Sequence, residues 1–245
     1  MEILATCHVH SSWSYDGSWS LKDLASRFKD RGCRVVMMTE HDRGFSSARL
    51  QEYREACAGV SSEEILLVPG IEYSDPANRV HVLVWGELPF LGESLPTPEM
   101  LRRVKAANGI AVFAHPSRRN ASQCFEPEWA ELLLGIEVWN RKYDGWAPSE
   151  TAGSLIETSG AVPFVGLDFH TQRQSFPLAM ALELASSVTE AAVLCCLRSR
   201  HCEARVFGAP LMKNSFQATV PLMRAAERGR RVVAQLAKKS GVLYR

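Results

Sequence analysis

At 245 residues with 46% hydrophobic composition, the chain can bury a substantial core as one compact domain, in the size range where α/β barrels are common. Its 28 Lys and Arg against 27 Asp and Glu exclude steering onto nucleic acid or an anionic membrane by overall charge. No apolar run approaches the ~18–20 residues that cross a bilayer, and the N-terminus lacks signal-peptide order, so a cytoplasmic protein with no membrane partner is expected.

In chain order, a β-branched run from Ile3 to His10 predicts the first strand, and a helix follows from Leu21 to Asp30. Further strands are expected at Arg34 to Thr39, Ile65 to Glu72, Val80 to Trp85, Ile110 to Ala114, Gly135 to Trp139 and Pro163 to Asp168. Helices are expected between them at Ser46 to Ala58, Pro98 to Asn108, Pro127 to Leu134 and Ser149 to Ser159. Thr97-Pro98-Glu99 offers an N-cap followed by proline at the first helical position, and Gly32 and Gly109 stand where helices end. A strand from Leu178 to Ala185, a helix from Val188 to Arg198 and a short strand from Glu203 to Phe207 close the pattern. Such alternation implies a parallel sheet with helical crossovers and places loop residues at the C-terminal strand ends.

The segment 209–245 reads as an extension with a basic amphipathic helix from Met223 to Lys239, packing Val232, Val233 and Leu236 on the main body. No aromatic residues interleave with its basic ones, so nucleic acid is not an expected partner. The seven cysteines are odd in number and form no C-x-x-C pair, which predicts reduced thiols.

Six of the seven histidines fall in short apolar segments that look like strand ends, each near a carboxylate. His8 and His10, one residue apart on a strand, project to one face and can grip one ion. Glu72 and Asp168 end two other strands and could complete that site or bridge two ions. His81 and His115 supply nitrogens for a second ion with Glu72 shared, which leaves Asp16, His41 and His170 for a third.

The ordered series His8-Val9-His10, Tyr15-Asp16-Gly17, Glu40-His41-Asp42, Glu72, His81, Ala114-His115-Pro116 and Gly166-Leu167-Asp168-Phe169-His170 resembles the polymerase and histidinol phosphatase family over roughly residues 1 to 208. An isolated H-x-H is a weak signal; the ordered set is specific. The resemblance implies a single-domain α/β fold, a distorted (β/α)7 TIM-like barrel, with a trinuclear site of two to three divalent ions (zinc, manganese or iron) at its C-terminal face. It assigns the first ion to His8, His10, Glu72 and Asp168, the second to Glu72, His81 and His115, and the third to Asp16, His41 and His170. It also implies a phosphoesterase that hydrolyses a small phosphate monoester of nucleotide, sugar phosphate or histidinol phosphate type, with a metal-activated bridging water as nucleophile. Ser11, Ser12 and Ser117 lack the flanks of a nucleophile elbow.

Arg118 and Arg119 follow His115-Pro116 and offer planar forks to a phosphate, and Arg43 and Arg141 follow two other strand ends. Asp42 could orient an imidazole or handle a proton. Trp13, Trp139 and Trp146 could stack on a base or pack the rim. Only about two dozen residues separate Trp85 from Ile110, so the helical insertion that caps nucleotide substrates in similar enzymes is missing and an open cleft is expected. Two other functions compete. A C–N metallohydrolase would call for a carbamylated lysine at a relevant strand end, where none is expected. A non-catalytic binding module would tolerate gaps in a ligand set that is full here.

Overall fold

The β-branched runs pair into two six-stranded sheets in the computed structural model, which describes residues 1–185, 187–213 and 217–239. The strands are β1 (Glu2–Val9), β2 (Val35–Met38), β3 (Glu40–His41), β4 (Leu66–Val68), β5 (Gly70–Ser74), β6 (His81–Trp85), β7 (Ile110–Ala114), β8 (Gly135–Asn140), β9 (Val162–Gly166), β10 (Leu178–Glu183), β11 (Cys202–Val206) and β12 (Ala209–Pro210). One sheet has the order β12-β11-β10-β1-β2-β4, the other β3-β5-β6-β7-β8-β9. Strands β2, β6, β7 and β8 are buried along their whole length, which is why they read as unbroken apolar runs rather than alternations.

Two interrupted strands join the sheets. A single residue, Thr39, separates β2 from β3, and Pro69, which has no N–H for a ladder, separates β4 from β5. Because β2 pairs with β4 and β3 with β5, both in parallel, the chain passes twice from one sheet into the other. On the opposite side Leu167 N donates to Cys7 O, Phe169 N to His8 O and His10 N to Phe169 O, each at 3.0 Å. These seams gather the ends of β1, β3, β5, β7 and β9 around one polar centre.

The helices are α1 (Leu21–Lys29), α2 (Ser47–Val60), α3 (Thr97–Ala106), α4 (Arg141–Asp144), α5 (Glu150–Ser159), α6 (Glu190–Arg198) and α7 (Val220–Lys239). Ser20, Ser46, Ser149 and Thr189 cap four of them by accepting a backbone N–H. Thr97, expected as a cap, lies inside α3 and Pro96 precedes it. The expected helix from Pro127 to Leu134 is only a 3-10 turn, Pro127–Glu131, because the chain must enter β8 at Gly135.

The fold departs from a strict alternation of strand and helix in two places. Strand β6 runs antiparallel to both of its neighbours, β5 and β7, and the 75–80 connection from β5 to β6 is a turn in which the Asp75 carboxylate accepts from Arg79 N and Val80 N. Strand β10 runs antiparallel beside β1 and carries β11 and β12 outward. The result is a mixed α/β domain of two sheets, with α3 as the only α-helix between β6 and β7.

Helix α7 docks differently from expectation. Val220 is buried and Met223 packs on the core at its start, but beyond that turn its contact with the body is polar, through Arg224 and a buried Glu227, while Val232, Val233 and Leu236 are 54%, 65% and 61% exposed. The expected apolar packing is therefore replaced by a charged latch. Residues 214–216 and 240–245 of the expected extension lie outside the described residues. All seven cysteines are free. Among the described residues no helix is long and apolar enough to cross a membrane.

Candidate metal centre

Three of the nine expected ligands sit in left-handed backbone, where side chains other than glycine are uncommon: His8 (φ 60), His115 (φ 29) and Asp168 (φ 48). Such strain costs of order 1–3 kcal/mol per residue and persists where the surroundings over-determine it. At His8 it coincides with a register shift of the β1–β2 ladder between Cys7 and Val9. His8 and His10 therefore meet, with ring centroids 5.2 Å apart, across a bulge rather than by plain strand alternation.

Glu72 is the hub. Its Oε1 lies 2.7 Å from His81 Nδ1, 2.9 Å from His115 Nε2 and 3.5 Å from His8 Nε2, and its Oε2 lies 3.0 Å from His41 Nδ1 and 3.4 Å from His10 Nε2. Asp168 Oδ1 lies 3.2 Å from His170 Nδ1, 3.5 Å from His10 Nε2 and 3.8 Å from His8 Nε2. Asp16 spans His41 at 3.3 Å and His170 at 3.1 Å. All nine residues thus form one connected cluster.

Within it, three sets hold ligand atoms close enough to share an ion: His8, His10 and Asp168; His8, Glu72 and His115; and His10, His41 and His170. Each overlaps one of the expected ligand sets. His81 stands apart from these sets because its ring is held between Glu72 and Asn78 Oδ1, the latter 2.6 Å from Nε2.

A second layer of buried groups orients the imidazoles. Glu137 Oε1 lies 2.9 Å from His8 Nδ1, while its Oε2 accepts from His115 N and Asn140 Nδ2, both at 2.8 Å. Glu40 accepts the hydroxyl protons of Ser11 and Ser14 at 2.6 Å. With its proton so used, Ser14 Oγ accepts from His41 N and faces His10 Nδ1 at 3.3 Å. His8 and His10 are thereby held by Nδ1, and their Nε2 atoms are buried without a hydrogen-bond partner. An imidazole tied at one nitrogen with the other directed at carboxylates is the donor set of a metal ligand, so these residues fit divalent ions.

The electrostatics agree. Burial opposes charge on Glu72 and Asp168, but the histidines around them, His81 and His8 foremost for Glu72 and His8 for Asp168, hold both carboxyls well below the usual range. Burial likewise opposes protonation of His41 and His170. Asp16 with Glu72 raises the first to about 10, and Asp16 with Asp168 raises the second to about 9. His10, buried beside those two rings, is pushed well down. Bound divalent ions would take the place of the His41 and His170 protons as partners of the carboxylates.

The rim carries the other sequence candidates. Arg118 donates from Nε to the Tyr143 hydroxyl at 3.1 Å and from Nη1 to Asn78 O at 2.8 Å, and Arg119 reaches the same carbonyl at 3.2 Å. Arg43 lies over the Tyr15 ring, which is 66% exposed and stacks on His41. Arg141 turns away, with its guanidinium over Phe176. Asp42 is occupied by Ser74 and Ser94, whose backbone N–H groups it accepts at 3.2 and 3.1 Å, so the ring-orienting task falls to Glu137 and Ser14 instead. Trp139 is fully buried, and Trp146 meets Arg230.

One group overturns an expectation. Lys142, two residues beyond β8, brings its Nζ to 3.1 Å from Asp168 Oδ1 and 3.4 Å from His170 Nδ1, so a lysine does stand among the ligands. Burial disfavours its charge, but Asp168 outweighs burial and raises its pKa. Sequence reasoning missed it because a four-residue helix, α4, folds the side chain back over the strand end. For Glu137 the usable signal in the sequence is a lone acid inside an apolar strand, which must find a buried partner.

Comparison with protein-family models and with curated proteins finds no match. Among solved structures the fold is similar to that of PsfC from Pseudomonas syringae PB-5123, with a TM-score of 0.61 and 15% identity over 92% of this chain and 98% of that one. It is also similar to a protein assigned as a metal-dependent phosphoesterase from Bifidobacterium adolescentis, at TM-score 0.52 and 18% identity over 78% of this chain and 95% of the other. A third, the lesion-specific endonuclease PfuEndoQ from Pyrococcus furiosus, aligns at TM-score 0.57 and 13% identity over 81% of this chain but 56% of its own. At these identities the likeness is one of fold.

Proposed function

We propose that the protein is a metal-dependent hydrolase of the polymerase and histidinol phosphatase type, built on a distorted (β/α)7 barrel, that releases phosphate from a small phosphomonoester. The observation that carries this reading is the cluster of six histidines and three carboxylates, buried except at its Asp16 edge, in which His8 and His10 are fixed at Nδ1 and unpartnered at Nε2. His8, His10, Glu72 and Asp168 would hold one ion, Glu72, His81 and His115 a second, and Asp16, His41 and His170 a third. Zinc, manganese and iron all suit imidazole with carboxylate. When bound, such ions supply Lewis-acid activation of water and neutralise charge at the phosphoryl group.

The chain's own residues do the rest. Glu137 and the Glu40–Ser14 pair hold the imidazole rings in place, and Arg118, kept at the rim by Tyr143 and Asn78, binds and orients an arriving phosphate. The similarity of fold to a protein assigned as a metal-dependent phosphoesterase supports the same class. The C–N hydrolase reading would need Lys142 carbamylated and bridging two ions, whereas its Nζ is paired with Asp168.

The test is metal content of the purified protein, measured with chelator-sensitive phosphate release from nucleotides, sugar phosphates and histidinol phosphate. Two to three ions per chain with release from one substrate class supports the proposal; bound metal with no turnover on any ester overturns it.

A further inference from the structure

The phosphoesterase reading gives no role to Lys142, the cation in direct contact with a candidate ligand. Lys142 Nζ lies 3.1 Å from Asp168 Oδ1, and its side chain is 29% exposed, so the ammonium stands between the ligand cluster and solvent. Arg118 and Lys142 flank a single ring, Tyr143, with the guanidinium carbon 5.8 Å and the ammonium 5.6 Å from its centroid. That ring in turn packs on His115 at 4.7 Å. Two cationic side chains thus flank one ring beside the ligand cluster.

The turn that carries Lys142 and Tyr143 is braced from both sides. On the inner side Asn140 Oδ1 accepts from Lys142 N and Tyr143 N, while Asn140 Nδ2 donates to Glu137, the same carboxylate that holds His8. On the outer side the C-terminal helix α7 closes over the turn. Glu227 accepts from Trp146 N at 3.2 Å and is gripped by Arg230 and Arg231, and Arg231 Nη2 donates to the Tyr143 and Asp144 carbonyls at 2.9 and 3.2 Å. The fit is close at Gly145 (φ 76), where an added Cβ would stand 2.3 Å from Glu227 Oε1. A four-residue helix has little stability of its own, so its geometry depends on these braces together with the Asp144 carboxylate, which accepts from Ser117 Oγ at 2.6 Å and Asn140 N at 2.7 Å.

We propose that Lys142 is a phosphate-contacting cation beside the ligand cluster and that Glu227, reaching in from the C-terminal helix, is the positioning residue that keeps it there. With divalent ions facing Asp168, the ammonium is released from its role as counter-ion, and its flexible stem lets it turn to an anion bound beside the cluster. This inference rests on the proposed function for the identity of that anion. It adds that substrate binding depends on a segment remote in sequence from every metal ligand.

The experiment is calorimetric titration of the full-length, manganese-loaded protein with inorganic phosphate, alongside titration of the metal-free protein with manganese alone. Lys142→Met should weaken phosphate binding about tenfold or more, the scale of one charge-assisted contact, without weakening manganese binding, and Lys142→Arg should recover most of the loss. Glu227→Gln and the milder Arg231→Met should each weaken phosphate binding several-fold, and Lys142→Met/Glu227→Gln should bind no more weakly than Lys142→Met alone. Unchanged phosphate affinity in Lys142→Met, or full additivity in the double variant, overturns the inference. So does a wild-type protein that binds manganese but no phosphate. Phosphate binding with the expected variant pattern but no ester hydrolysis would instead sink the proposed function and leave this inference standing.

Discussion

Glu137 Oε1 lies 2.9 Å from His8 Nδ1, a contact that spans 129 residues of chain and joins the middle of β8 to the end of β1. An ionised carboxylate only accepts, so the imidazole must present Nδ1–H to it and keep Nε2 for an ion. Glu137→Gln retains the shape but loses the charge. We expect metal affinity to fall about 10- to 100-fold, the usual cost of losing such a partner, as read by competition with a chelating dye.

Glu72 and Asp168 are the carboxylates at which the imidazoles converge. Glu72→Gln and Asp168→Asn each remove a negative charge from a buried cluster of histidines and should lose bound metal and at least about 100-fold in phosphate release. Elemental analysis of the purified variants reads the first effect. A metal-replete and fully active Asp168→Asn protein would contradict the assignment.

The cluster also predicts a pH dependence. His41 near 10 and His170 near 9 are protonated at pH 7, whereas ligation requires neutral rings. Metal binding should therefore release protons at pH 7 and tighten as pH rises toward 9, measurable by calorimetry in buffers of different ionisation enthalpy. For the chelated protein the stability trend has the opposite sign. Both rings titrate near 6.5 when unfolded and higher when folded, so their contribution is complete below 6.5 and is lost as pH rises through 9 to 10. Urea unfolding at pH 6 and at pH 10 should display that decline.

Arg118 and Arg141 should separate cleanly. Arg118→Ala removes a guanidinium at the pocket rim and should raise KM for p-nitrophenyl phosphate about tenfold. Arg141 lies on Phe176 and should leave KM unchanged when replaced by Ala, with any cost appearing in thermal stability through lost packing.

Gly166 tests the layer behind the ligands. A Cβ there would stand 1.8 Å from Glu137 Oε1 and 2.9 Å from His8 Cβ. Gly166→Ala must therefore displace the His8–Glu137 pair, and we expect a loss of about 1–3 kcal/mol in stability together with weaker metal binding. Thermal melts with and without manganese would read both.

Residue order alone made the candidate ligands legible, and most of the strands that carry them. Histidine and carboxylate identities survive any fold, and long apolar runs bounded by Gly, Pro and Asp advertise buried strands through local periodicity. The antiparallel β5–β6–β7 segment did not show, because an apolar strand buried on both faces reads alike in either direction. Nor did the solvent-facing Val232, Val233 and Leu236, since an amphipathic pattern cannot say which face finds a partner.

Convergence belongs to tertiary structure. That Glu72 gathers five imidazoles, that Glu137 and Ser14 set ring tautomers, and that α4 folds Lys142 back onto Asp168 all depend on contacts between residues far apart in the chain. Left-handed backbone at His8, His115 and Asp168 is imposed by the packed surroundings and carries no local signal. Sequence pattern reports the chemistry each residue owns. Only the closed chain decides which of those groups share the few ångströms within which that chemistry can act.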